Sequence, residues 1–190
     1  MLPPVSLLPA FLDLRGARTV VVGGGPVALR RTRTLLGSGA QVQVIAPDLH
    51  PDLAALPVQV QRRPYRPGDL NGAALAVAAT SLADVNGQVV GDARALGIPV
   101  NDASDATRGT LRFAATAAQA GVQVAVSSGR ELPMFSQALA ERITALLPSE
   151  TQLDDWSARR EAALTCPEPQ RSSALGTLRD EIRRAMGVGA

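Results

Sequence analysis

Thr19-Val20-Val21-Val22-Gly23-Gly24-Gly25-Pro26-Val27-Ala28 is the stretch on which the reading of the whole chain turns. Val20 to Val22 form an uninterrupted apolar run, as a parallel strand buried on both faces requires. Three glycines break the run, and Pro26 then presets φ for the first turn of a helix. Val27, Leu29, Leu35 and Leu36 supply the apolar positions of that helix, with Arg30, Arg31 and Arg33 left largely solvated, and Gly37 and Gly39 end it. Gln41-Val42-Gln43-Val44-Ile45 follows as a second strand, stopped by Pro47. Residues 18 to 48 therefore read as one βαβ unit.

Beyond this unit the alternation continues. A short third strand is expected over Leu56 to Arg63, where Val58 and Val60 alternate with Gln59 and Gln61, and a fourth over Ala73 to Ala79. Residues 82 to 96 read as a helix ending at Gly97, and Ile98-Pro99-Val100 leads into Asn101. Strand and helix in strict alternation over about 100 residues imply an α/β fold, a Rossmann-like parallel sheet with crossover helices. The pattern then changes. Leu111 to Ala115 and Val122 to Ser127 are two β-like segments, and Met134 to Leu147 is an amphipathic helix with Phe135, Leu139, Ile143 and Leu146 as its apolar row. Two further helices are expected near 150 to 164 and 172 to 186, on either side of Pro167 to Pro169. The expected organisation is a dinucleotide-binding domain over 1–112, a β/α segment over 113–148 and a C-terminal helical region over 149–190.

Composition excludes several classes of function. The 190 residues are 46% hydrophobic and 19% charged, the balance of a folded globule rather than a disordered chain. Only 3% are aromatic, which argues against stacking platforms for single-stranded nucleic acid. All nineteen cationic side chains are Arg, so Schiff-base chemistry and a P-loop lysine are out. A net charge of +2 with no basic run longer than two residues is no nucleic-acid footprint. One Cys and one His make neither a disulfide nor an ordinary zinc site, so no metal site is expected. The start Met1-Leu2-Pro3-Pro4 is unlike a secretory signal, and no apolar run reaches membrane-spanning length. The expected setting is cytoplasmic, with neither membrane nor nucleic acid as partner.

Gly23 to Ala28 fits G-x-G-x-x-A. In that pattern Gly23 makes the tight turn, Gly25 lets the backbone approach a pyrophosphate, and Ala28 allows close helix–sheet packing. The helix N-terminus offers free N–H groups and partial positive charge to phosphate. The reading is dinucleotide binding, and the alternative is a purely structural turn. An acid that would hold the ribose falls at Ile45 or Ala46, neither acidic; Asp48, beyond Pro47, either reaches the ribose from the loop or is simply solvated. No Arg directly follows the strand to hold a 2′-phosphate, which favours NAD over NADP.

Leu8-Pro9-Ala10-Phe11-Leu12-Asp13-Leu14-Arg15-Gly16 ahead of this turn, together with Val44-Ile45-Ala46-Pro47, Ala78-Ala79-Thr80, Asp84-Val85-Asn86, Ile98-Pro99-Val100-Asn101 and Val124 to Gly129, resembles the precorrin-2 dehydrogenase family over residues 8 to 148. That family includes the N-terminal part of bifunctional siroheme synthases. The resemblance implies NAD-dependent oxidation of the tetrapyrrole precorrin-2 to sirohydrochlorin, with iron insertion left open. It also implies a homodimer that exchanges β structure between subunits. Its cofactor contacts fall on Gly23, Gly24, Gly25, Pro26, Val27, Pro47, Asp48, Ala79 and Thr80. The family's Asn-Val-Val-Asp run is Asn101-Asp102-Ala103-Ser104 here, with an Asp one place later at Asp105.

Oxidising such a macrocycle removes a hydride and a proton, so the protein must orient two rings and supply a proton acceptor. Asp105 is the expected catalytic base, with Asp102 as the fallback; the plain alternative is that Asp105 caps a turn before Gly109. Substrate contacts are expected from Asn101, Ser104, Arg108 and Ser128, with Arg108 suited to a substrate carboxylate. Arg112 and Arg130 lie nearby in sequence and read as ordinary surface residues, as does His50 in its loop. The resemblance also puts Ser128 at a position phosphorylated in some relatives. Two other readings stay open: a tetrapyrrole carrier that has lost its chemistry, and a nucleotide-sensing regulatory module.

Overall fold

The computed structural model describes residues 7–129 and 132–188, and the chain divides into two compact units. The larger is Ala10–Phe113. It contains β1 (Arg18–Val22), α1 (Pro26–Gly37), β2 (Gln41–Ile45), α2 (Pro51–Ala54), β3 (Gln59–Gln61), β4 (Leu75–Ala78), α3 (Ala83–Ala95) and β5 (Val100–Asp102). The five strands are all parallel and run in the order β3-β2-β1-β4-β5. The chain builds outward from β1 in one direction through β2 and β3, then restarts on the other side with β4 and β5. The order therefore reverses between β1 and β4, and the carboxyl ends of those two strands border the crevice where open α/β sheets bind their ligands.

The apolar runs give this sheet two cores, because successive residues of a strand face opposite sides. Val20, Val22, Ile45, Ala76 and Ala78 pack on one face against Val89, Val90 and Ala93 of α3. Val21, Val42, Val44, Leu75 and Val77 pack on the other against Ala28, Leu29 and Leu35 of α1 and Leu53 of α2. β1 and β4 lie between neighbours and are covered on both faces, which is why they read as unbroken apolar stretches.

Several expected boundaries move. β3 is three residues long, not eight: Pro57 has no N–H to give to a ladder, Val58 turns back onto Leu56 at 2.8 Å, and Val60 on this edge strand is exposed. Leu111 to Ala114 is not a strand, and the strand expected there begins only at Ala115. The amides of Thr110 and Leu111 both donate to the Val100 carbonyl, and Leu111 and Phe113 pack on the α1-side core, so their alternation serves burial of an irregular segment. Arg31 is half-buried rather than solvated, its guanidinium 4.4 Å above the Phe113 ring. Val27 is exposed at the start of α1.

The second unit comprises Ala114 onward together with the described residues before Ala10. An antiparallel pair, β6 (Ala115–Gln119) and β7 (Val122–Val126), carries α4 (Pro133–Thr144), followed by α5 (Glu150–Leu164) and α6 (Gln170–Ala185). Ala117, Val126 and Ala140 form a small core with Leu139, Ile143 and Leu147 around it. Phe135 and Leu146, expected in the apolar row of α4, are instead exposed; the row that packs runs through Leu139, Ile143 and Leu147 at four-residue spacing. Ser149 and Gln152 make a reciprocal capping box at the start of α5, and Arg159 of α5 holds both carboxylate oxygens of Glu181 of α6 at 2.9 and 2.7 Å.

Candidate functional site

The glycine turn leaves the end of β1 with each glycine in a different situation. Gly23 has φ +129°, and a Cβ there would stand 2.3 Å from the Ala79 carbonyl oxygen. Gly24 meets the loop after β2: a Cβ would stand 1.8 Å from the Asp48 carbonyl oxygen, and the Gly24 carbonyl accepts from the His50 amide at 2.7 Å. Gly25 has an ordinary φ of −86°, and a Cβ there would meet nothing within 4 Å. The fold requires small residues at the first two positions and not at the third. Gly25 is the N-cap of α1, which has no side-chain cap and no acidic residue in its first turn. An uncapped helix start of three turns, opening onto space that a side chain would fill, is the arrangement a phosphate ester needs.

The turn thereby gathers the residues expected at a cofactor. Gly23 stands directly against Ala79 and Thr80 after β4 and Gly24 against Asp48 after β2, while Gly25, Pro26 and Val27 open α1 beside them. Pro47 and Asp48 are exposed, and among the described residues no group bonds the Asp48 carboxylate. His50 is turned to structural use, its Nδ1 accepting from the Asp52 amide at 3.2 Å to cap α2.

From Thr80 a polar network runs to the end of β5. Asn86 of α3, fully buried, accepts from the Thr80 amide (3.1 Å) and hydroxyl (2.8 Å), and donates to the Thr80 carbonyl and to Ser104 Oγ, both at 3.1 Å. Ser104 Oγ in turn donates to Asp102 Oδ1 at 2.6 Å, and the amides of Ser104 and Asp105 reach the same oxygen at 2.9 and 3.2 Å. Asp102, buried on β5, has its second oxygen 2.8 Å from Arg108 Nη2. Arg108 also donates to Ser104 Oγ at 3.2 Å and has Nε 3.6 Å from Asp105 Oδ2. Gly109 lets the chain come back so closely that a Cβ would meet the Val100 carbonyl oxygen at 2.8 Å.

Asp105 stands at the outer end of this network with its side chain 43% exposed. Its Oδ1 accepts from the Thr107 hydroxyl at 2.6 Å and amide at 2.9 Å, so it does cap a turn. The Thr107 hydroxyl, then its amide and the Arg108 charge, hold the Asp105 carboxyl below its usual 3.8, so it is ionised at neutral pH. An ionised, accessible carboxylate can accept a proton.

The remaining expected residues are placed differently. Asn101 is 5% exposed, and its Nδ2 donates to the Leu111 carbonyl at 3.1 Å. Ser128 follows β7, in the other unit, and is half-buried. Arg130 lies outside the described residues. Asp102 and Asn86 hold this network together, although the sequence offers Asp102 only as a fallback base and gives Asn86 no role. A signal for Asn86 was present: it shares the i, i+3, i+4 stripe of α3 with Val89 and Val90, where an isolated amide has to be satisfied by something.

A family described as "Putative NAD(P)-binding" matches residues 10–115. The siroheme synthase of Chromobacterium violaceum is 42% identical over 149 residues, and those of Pseudomonas putida F1 and Azotobacter vinelandii are 39% and 38% identical over 149 and 152 residues. Each alignment covers 76% of this chain and 32% of the relative, so the chain spans about a third of the length of the curated relatives it matches. A solved structure of SirC, precorrin-2 dehydrogenase, has the same fold: TM-score 0.70 at 23% identity, covering 95% of this chain and 92% of that one. The family match takes in the whole glycine turn, the Asp48 loop and the Thr80–Asp105 network, more than half of the sequence, and the chain belongs to this NAD(P)-binding family.

Proposed function

We propose that this chain is an NAD-dependent dehydrogenase that oxidises precorrin-2 to sirohydrochlorin on the route to siroheme. The observation that carries the reading is the conjunction, past the carboxyl ends of one parallel sheet, of an open, uncapped helix start at Gly25 with an ionised carboxylate, Asp105, and an arginine, Arg108. The names and identities of the siroheme synthases support the tetrapyrrole substrate, as does the fold of a precorrin-2 dehydrogenase. The exposed Asp48 carboxylate, with no Arg among residues 46–50, supports NAD over NADP: it suits ribose hydroxyls and repels a 2′-phosphate.

In this reading Gly25 and the amides of Val27 and Ala28 hold the pyrophosphate, and Asp48 accepts from the ribose. Pro26, Val27 and Pro47 give exposed apolar surface beside them, and Ala79 and Thr80 form the wall across the switch point. The nicotinamide, when bound, supplies the hydride acceptor. Asp105 takes the proton that leaves the macrocycle, and a carboxyl held below its usual range is ionised and ready at neutral pH. Arg108, oriented by Asp102, pairs with a substrate carboxylate. Asn101 shapes the end of β5 from beneath. The enzyme works as a cytoplasmic homodimer.

Anaerobic incubation of the purified chain with precorrin-2 and NAD tests this. NADH and the sirohydrochlorin spectrum should appear in equal amounts, and NAD bound without either product would sink the dehydrogenase reading. Asp105→Asn should lower kcat on the order of 100-fold or more, the usual range for losing a general base, with NAD Kd within about twofold of wild type. Undiminished turnover would remove Asp105 from the mechanism.

A further inference from the structure

Asn86 has all of its hydrogen-bonding capacity committed: two acceptances from Thr80 and one donation each to Thr80 and Ser104. An apolar side chain would fill the same stripe of α3 beside Val89 and Val90, and burying an amide costs free energy unless every bond is made. What its bonds accomplish is specific. The parallel ladder fixes β4 against β5 as far as Ala78 opposite Asp102, with one more bond from the Ala103 amide to the Ala78 carbonyl. Past that point the ladder ends, with Thr80 following β4 and the turn carrying Asp105 following β5. Among the described residues, Asn86 is the side chain that bonds to both.

We propose that Asn86 is a positioning residue that holds the Thr80 end of β4 and the Ser104–Asp105 turn in register, so that cofactor and proton acceptor face the substrate together. The roles of Thr80 and Asp105 in this statement rest on the function proposed above. Asn86 touches neither ligand; it acts through Thr80 on one side and through Ser104 and Asp102 on the other. The Ser104 hydroxyl is the coupling atom, accepting from Asn86 and Arg108 and donating to Asp102.

The test uses Asn86→Ala, Ser104→Ala, Ser104→Thr and the double alanine variant. NAD Kd is measured by direct titration, and kcat for precorrin-2 at saturating NAD. Asn86→Ala should weaken NAD binding about fivefold and lower kcat, each lost bond counting on the order of fivefold. Ser104→Ala should lower kcat about tenfold with NAD Kd unchanged, and Ser104→Thr, which keeps the hydroxyl, should restore it. In the double variant kcat should fall no further than in Asn86→Ala, since both residues serve one link. Independent kcat losses that multiply, or an Asn86→Ala protein with both constants within twofold of wild type, would overturn the proposal. Ser104 is exposed, so its variants keep the test decisive where Asn86→Ala does not fold. A wild-type protein that binds NAD without oxidising precorrin-2 refutes the proposed function alone. Positioning is then read from amide exchange: NAD should slow exchange across residues 102–108 in wild type and not in Ser104→Ala, and equal slowing in both would overturn it.

Discussion

Gly24 and Gly25 are neighbours with the same lack of a side chain, and the fold treats them oppositely. A methyl group on Gly24 would stand 1.8 Å from the Asp48 carbonyl oxygen, a contact only backbone movement relieves, whereas on Gly25 it meets empty space. Gly24→Ala should therefore cost stability, on the order of 2 kcal/mol or more, which lowers Tm by at least several degrees in a domain of this size. Gly25→Ala should leave Tm within about a degree and weaken NAD at least tenfold, because its methyl occupies the space taken by the pyrophosphate. Thermal melts and NAD titration on the two variants decide it: a Gly25→Ala protein with wild-type affinity means the turn is structural after all. At this scale the sequence was legible where residue type answers a backbone demand, as in the glycine turn. It was illegible where the demand comes from a distant partner. Nothing local distinguishes Asp102 from Asp105, yet one is buried as the acceptor for three donors and the other faces solvent.

Among the elements, β1 and β4 could be read closely because burial on both faces writes an uninterrupted apolar run, β2 because Val42, Val44 and Ile45 end at Pro47, and α1 because Pro26 and the glycines punctuate it. The edge strand β3 and the segment before β6 could not, since an alternating pattern does not say whether it pairs with a strand or packs as irregular chain. Between β3 and β4 the chain is held by ions rather than by a ladder. Arg63 contacts both oxygens of Asp69 at 2.8 and 2.6 Å, and the Arg66 amide reaches Asp69 at 2.8 Å. Arg63 chiefly, against partial burial, holds the Asp69 carboxyl below its usual 3.8. A carboxyl with a depressed native pKa binds fewer protons folded than unfolded near that pH, so its contribution is complete above the ordinary value and lost as pH falls through the native one. Asp69→Asn should thus be destabilised at pH 7, on the order of 1–2 kcal/mol for charge-assisted bonds to a mostly buried group. The gap to wild type should close as pH drops below about 3.8. Urea unfolding at pH 7, 5 and 3 measures it, and a gap that stays constant with pH would show that the Asp69 charge contributes nothing.

The two units of the molecule differ in how well each can stand alone. Residues 10–113 carry two sizeable cores on a five-stranded sheet. Among the described residues, the unit from Ala114 buries only Ala117, Val126 and Ala140 as apolar core beneath its two-stranded sheet, with Ala163 of α5 and Leu178 of α6 buried besides, and a lone hairpin with so little behind it is marginally stable. It also leaves Met134 75% and Phe135 52% exposed beside Leu132, and among the described residues no further strand pairs with either edge of β6–β7. Open strand edges and clustered apolar side chains are what a second copy of the chain would cover. If the protein is the homodimer proposed above, the stability of this unit is tied to subunit concentration, whereas that of residues 10–113 is not. Sedimentation at about 10 µM should then give a dimer. On hundredfold dilution, amide protection should fall across β6, β7 and α4 while β1, β2 and β4 keep theirs. A monomer at that concentration, or β6–β7 protection indifferent to dilution, would mean that the small core suffices and that the open edges serve something other than self-association.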